Sequence, residues 1–401
     1  MRSTFAALSH RNFRIFYFGH LLSLSGTWLQ ITALGWLVLE LTDSELWLGV
    51  VTAGTSLPIL LFSLYAGTIA DRLDKRTILI AAQAVAFAQA LVLAVLTHLD
   101  LISIGWILVL VLTLGTANAF EIPTRQAFFI ELVGEKDLTS AIALNSSAFN
   151  GTRMIGPAIA GALIGAVGIA ACFYGNAISY LAVLAGLFAI KRPPPERIPR
   201  TVSAWVNIQE GFSWIWHHRI ARSIVVFVAS ASVLVFPFTM LLPVFARDIL
   251  QVGPEGLGWL FSATGAGALA GGLALANITE RVPRGLLLVV SATAFTVLVG
   301  AFALSLSFLL SLVLLLAAGF GMILCTATAN SLLQTLVPNG IRGRVMSVYV
   351  VMFLGMTPLG YLQAGALARV IGARAALASG AAVLLLVMAT TLWRSALRDV
   401  V

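Results

Sequence analysis

Gly67-Thr-Ile-Ala-Asp71-Arg72-Leu-Asp74-Lys75-Arg76 separates two long apolar runs, residues 46–70 and 77–97. A carboxylate one turn after a glycine, followed by clustered cations, does not continue either run through hydrocarbon. The stretch is also too short to be a domain. It reads as a charged hairpin between two membrane-crossing helices. Composition supports that reading. Soluble domains carry about 25% charged residues, whereas this chain is 10% charged and 60% hydrophobic, with a mean hydropathy of +1.00. So much apolar side chain requires lipid as its solvent. The runs are continuous rather than alternating, which points to helices and excludes a membrane barrel.

Working outward in both directions, twelve such runs appear. The first six cover residues 15–39, 46–70, 77–97, 101–122, 138–167 and 170–190. The next six cover 220–245, 256–276, 285–304, 308–336, 343–370 and 375–393. Each is long enough to cross a bilayer, which demands ~20 residues. Residues 123–137 are amphipathic and are expected to lie in the interface. Between the halves, Lys191-Arg-Pro-Pro-Pro cannot be helical, because consecutive prolines remove donors and clash. Trp205, Ile208, Phe212, Ile215 and Trp216 then recur near helical spacing and predict an amphipathic helix on the membrane face. The expected organisation is a six-helix bundle over 1–190, a cytoplasmic linker over 191–219 and a second six-helix bundle over 220–401.

Lysine and arginine placement orients the chain. Twenty of the 24 cations fall on one side of this plan, Arg247, Arg369 and Arg374 fall on the other, and Arg153 lies within a run. The asymmetry puts both termini and the linker in the cytoplasm. It also explains the net charge of +8 without nucleic acid. The halves repeat one another: Ala276-Asn-Ile-Thr-Glu280-Arg281 echoes Gly67-Thr-Ile-Ala-Asp71-Arg72. Repeated halves with a site between them are a recurrent transporter plan. Cys172 and Cys325 lie inside separate apolar runs, so neither a disulfide scaffold nor a metal site is expected. No cofactor is expected.

The opening stretch resembles the loop signature of the major facilitator superfamily, G-x-x-x-D-R-x-G-[RK]-[RK]. Gly67, Asp71, Arg72, Lys75 and Arg76 match, and Asp74 stands where the pattern has glycine. Leu8-Ser-His-Arg-Asn-Phe, Pro123-Thr-Arg-Gln-Ala and Ile155-Gly-Pro-Ala are similar to the branch containing enterobactin exporters and macrolide efflux pumps. The resemblance implies an all-α fold of two pseudo-symmetric six-helix bundles, working by alternating access. It also implies a cytoplasmic gate. Asp71 ends its helix, where the macrodipole disfavours an anion. In the family the equivalent carboxylate docks on the N-terminus of helix 11, here around Gly340 to Arg344 and including Arg342. Cations such as Lys75 pair there with an acid on helix 4, for which Glu121 is the available residue. The alternative reading of this cluster is an ordinary stop-transfer signal.

Other candidates come from the residues themselves. Arg153 at membrane depth costs ~2.5–3.5 kcal/mol on insertion scales, so it should face a cavity or a partner. The other reading is an arginine that hydrogen-bonds carbonyls to hold helices together. Gly156, Pro157 and Gly161 resemble the helix 5 antiporter motif, although tight helix packing would use the same glycines. For proton coupling the available groups are His20, Asp71 and Glu121, with His20 equally readable as structural. Gln30, Asn118, Asn145, Asn150, Asn330 and Gln334 are neutral polar residues at depth, each alone best read as interhelical glue. Together with Trp36, Phe236 and Met352 they could line a substrate cavity.

The expectation is therefore a proton-coupled exporter of a drug-like or siderophore-like solute in a bacterial inner membrane. Its partners would be a small-molecule substrate, protons and membrane lipids, and it would act as a monomer. The alternative is a lipid or nutrient facilitator or importer of the same fold. A receptor or membrane enzyme ranks last, because no nucleophile–base pair, metal cluster or soluble catalytic domain is visible.

Overall fold

The computed structural model describes residues 5–190 and 204–393; the side chains of 63–64, 66–72, 204–208 and 276 lie outside that description. The Pro-rich segment and the side chains of Gly67, Asp71, Arg72, Trp205 and Ile208 therefore fall outside the described residues. All described secondary structure is helical. The helices are α1 (Arg11–Thr42), α2 (Glu45–Arg72), α3 (Lys75–His98), α4 (Ile104–Val167), α5 (Ile169–Ala189), α6 (Ala204–His217) and α7 (Arg219–Leu234). They continue with α8 (Phe238–Val244), α9 (Gly253–Thr279), α10 (Arg284–Leu304), α11 (Phe308–Leu336), α12 (Arg342–Leu354), α13 (Thr357–Ile371) and α14 (Ala373–Thr390).

Among the described residues, eleven helical stretches are long and apolar enough to cross a bilayer. One of them, α4, has 64 residues, about twice what one crossing needs. Gly134 divides it, with φ 72° and ψ 173°. That conformation favours glycine, because no Cβ is present to clash. Counting the two arms of α4 separately gives the twelve crossings expected.

The arm before Gly134 is longer than its apolar run. Residues 123–133, expected in the interface, continue the helix, and Thr124, Phe128, Phe129, Leu132 and Val133 are buried along it. Proline at 123 does not end the helix. Neighbouring helices can re-satisfy the backbone groups that proline frees in a membrane helix. One consequence is that Arg125 leaves the set of cations in aqueous links.

The chain forms two compact units. The first comprises residues 1–42 and 54–201. Its helices approach closely at glycines. A Cβ on Gly26 would lie 2.3 Å from Ser179 Oγ, and one on Gly115 would lie 2.6 Å from the Thr55 carbonyl oxygen. Its core is aromatic near the chain start, where Phe13, Phe16, Phe128 and Phe129 meet edge to face.

The second unit comprises residues 43–53 and 202–401. The first turns of α2 thus pack with α13, where a Cβ on Gly49 would lie 2.5 Å from the Tyr361 carbonyl oxygen. Arg247 closes this end by donating to Asp43 at 2.5 Å and Asp248 at 2.6 Å, and Arg369 donates to Ser44 at 3.3 Å. Inside the unit, Phe236 packs on Phe295 and Phe353, with ring centroids 5.4 and 5.6 Å apart.

Candidate functional site

The loop signature is partly structural. Asp74, which replaces the pattern's glycine, caps α3: its Oδ2 accepts from Thr77 N at 3.0 Å and from Thr77 Oγ1 at 2.9 Å. Arg76 donates to the carbonyls of Leu187 at 2.7 Å and Phe188 at 3.1 Å, serving the orphan acceptors at the end of α5. Lys75 does pair with an acid on α4, but the acid is Glu131 at 2.7 Å rather than Glu121. Glu131 becomes available because α4 stays helical beyond Pro123. Gly67, Asp71 and Arg72 lie in the last turns of α2. Arg342 opens α12 and donates to the Val337 carbonyl at 3.5 Å.

Glu121 has a different partner. Arg125, one turn on, donates to it through Nε at 2.7 Å, with the two side chains only 13% and 10% exposed. Arg125 Nη1 also donates to Asn145 Oδ1 at 3.1 Å, joining the two arms of α4. His20 on α1 is buried beside them. Its ring stacks on Phe16, and Arg125 and Asn145 are the polar groups that act on it. Neither ring nitrogen has a hydrogen-bond partner. The result is a largely buried cluster of one carboxylate, one guanidinium, one amide and one imidazole. Removing either charge would leave the other buried and unpaired, which is strongly unfavourable. Sequence reading found His20, Glu121 and Asn145 separately and missed Arg125. The available signal was the i, i+4 spacing of Glu121 and Arg125.

Gln30 sits in an amide ladder across three helices. Asn176 donates to Gln30 Oε1 at 2.8 Å, Gln30 donates to Gln89 Oε1 at 3.3 Å, and Ser179 donates to Asn176 Oδ1 at 3.2 Å. With Gln30 only 3% exposed, this is interhelical glue rather than cavity lining. Trp36 is buried and donates to Glu40 at 2.7 Å. Asn150 donates to the Ser146 carbonyl, and its Oδ1 is buried without a partner. Asn118 and Arg153 are half-buried on α4.

Gly156 lets α4 touch α1, since a Cβ there would lie 2.6 Å from Trp28 Cβ. Pro157 and Gly161 are buried beside it. In the second unit Gln334 donates to Asn330 at 3.3 Å, Phe236 belongs to the aromatic cluster, and Met352 lines a cavity between α6 and α12.

Comparison with known proteins agrees with this architecture. Residues 2–400 match the family described as "Transmembrane secretion effector". The staphyloferrin A transporter of Staphylococcus aureus is 28% identical over 90% of this chain and 90% of its own length. The multidrug efflux pump Tap of Mycolicibacterium fortuitum is 26% identical over 88% of each chain. Among solved structures, the nucleoside transporter NupG superposes with a TM-score of 0.75 at 12% identity, covering 96% of this chain and 99% of that one. Its likeness speaks for the fold alone. With a family match spanning nearly every residue, twelve helical crossings and no enzyme among these relatives, this chain is a multi-pass membrane transporter that belongs to the transmembrane secretion effector family of the major facilitator superfamily.

Proposed function

We propose that the chain is a proton-coupled exporter of the bacterial plasma membrane, with both termini in the cytoplasm, acting as a monomer by alternating access. Export of a drug-like or siderophore-like solute is supported by the relatives, one a siderophore transporter and one a multidrug efflux pump. Coupling is supported by one observation, the buried Glu121–Arg125 pair beside the unpartnered imidazole of His20. Protonating Glu121 would leave Arg125 charged and without its counter-ion, so the arrangement seen here would lose its advantage. A conformation that frees Arg125 would then bind the proton more tightly, and that difference in affinity drives the change of state.

In this reading residues 1–190 and 220–401 form the two halves, joined by 191–219, and Asp71 latches the cytoplasmic gate. Asp71→Asn is expected to abolish transport while leaving the protein inserted and folded. Flux at the unmodified rate in reconstituted vesicles would remove the latch.

The test of the function is uptake by everted membrane vesicles of dyes, macrolides and siderophores, with and without an imposed proton gradient. Gradient-driven accumulation supports export. Equilibration that ignores the gradient supports the facilitator reading instead.

A further inference from the structure

The cavity between α6 and α12 has a volume of about 450 Å³. One wall is Phe212, Ser213 and Trp216 of α6; the other is Val348, Val351 and Met352 of α12. Both sets follow helical spacing, so each helix turns one continuous face to the slot. At one end the helices touch. Gly211 there has no room for a Cβ, which would lie 2.4 Å from the Arg344 carbonyl oxygen, and Arg344 pairs with Glu210. Toward the other end the slot is open, with Phe212 and Trp216 about half exposed. Arg222 stands at that rim. Its guanidinium lies 5.6 Å over the Trp216 ring and donates to the Trp216 carbonyl at 3.2 Å.

We propose that this slot is a binding site for an anionic phospholipid of the surrounding leaflet, with an acyl chain between α6 and α12 and the phosphate at Arg222. A void of this size would forfeit dispersion contacts along every wall. Water is a poor occupant, because it needs several polar partners and the walls are mostly apolar. An acyl chain already dissolved in the bilayer gains nothing hydrophobic by entering a protein slot. Preference must therefore come from the headgroup, and the rim offers a guanidinium, which suits phosphate. Ser213 and His217 add polar groups along the α6 wall, with His217 next to Trp216 at the open end. The occupant would brace α6 against α12, so bilayer composition would bear on the helix that Arg342 opens. The inference needs only that the chain is embedded in lipid, and it stands apart from the direction and coupling of transport.

The test is native mass spectrometry of delipidated full-length protein titrated with dioleoylphosphatidylglycerol or dioleoylphosphatidylcholine. Phosphatidylglycerol is expected to be retained about tenfold more tightly, as one charge-assisted contact allows. Val348→Trp, which fills the slot, is expected to remove that bound lipid. Arg222→Gln is expected to equalise the two lipids. If Val348→Trp does not give a monodisperse protein, Ser213→Phe fills the slot from the α6 side and is read in its place. Equal retention of both lipids by the unmodified protein, or unchanged retention by the filled variant, would overturn the proposal. So would ethidium displacing the bound lipid, which would assign the slot to a transport substrate.

Discussion

Arg125 donates to Glu121 across one helical turn at 2.7 Å and, with its other arm, to Asn145 at 3.1 Å, so one guanidinium ties both arms of the kinked α4 around a buried carboxylate. Among the described residues, each of these two charges has the other as its ion-pair partner. The packing of the two arms of α4 therefore depends on this pair.

Arg125→Met is expected to destabilise the protein by about 3–5 kcal/mol, because Glu121 is left buried and unpaired. Glu121→Gln combined with Arg125→Met is expected to recover most of that loss, since no lone charge then remains. Thermal unfolding of the purified variants in detergent checks both. A double variant no more stable than the single one would show that the pair is not what holds the pocket.

The amide ladder makes a separate prediction. Gln30→Leu leaves Asn176 Nδ2 and Gln89 Oε1 without the partners they have now. The expected loss is about 1 kcal/mol, between the membrane average and the cost of an orphaned buried group. In a double-mutant cycle with Asn176→Leu, unfolding in mixed micelles should show losses smaller than additive. Strict additivity would mean that the two amides act independently.

Much of this architecture was legible in the chain. The twelve crossings followed from apolar run lengths and from the placement of cations. Arg76, Lys75 and the family signature could be located, because short charged links between apolar runs mark where membrane crossings end. The segment from Pro123 to Val133 was not legible. Its proline and charges look like an interface, yet Thr124, Phe128, Phe129, Leu132 and Val133 recur at helical spacing and are buried. With that turn of helix hidden, the Glu121–Arg125 spacing went unused, and Lys75 was matched to Glu121 in place of Glu131. The ladder through Gln30, Gln89 and Asn176 was hidden for another reason. Nearly every face of these helices is apolar, so periodicity does not reveal which polar side chains meet.

Gly156 tests the helix-packing half of the account. Gly156→Ala puts a Cβ 2.6 Å from Trp28 Cβ, so α1 and α4 must part, at about 1–3 kcal/mol. Trp28→Ala is not expected to rescue it, because the collision is with Trp28 Cβ and not with the indole. Trp28→Gly is expected to restore part of the lost stability. Rescue by Trp28→Ala in thermal unfolding would place the constraint on the ring instead.

The central claim is that protons act through Glu121. Its most direct test is uptake of a transported dye or macrolide by everted vesicles on imposing an inside-acid gradient, comparing the unmodified protein with Glu121→Gln at matched membrane levels. The account predicts gradient-driven accumulation that an uncoupler abolishes in the unmodified protein and that Glu121→Gln reduces to background. Accumulation by Glu121→Gln at the unmodified rate, with the same dependence on the gradient, would contradict it.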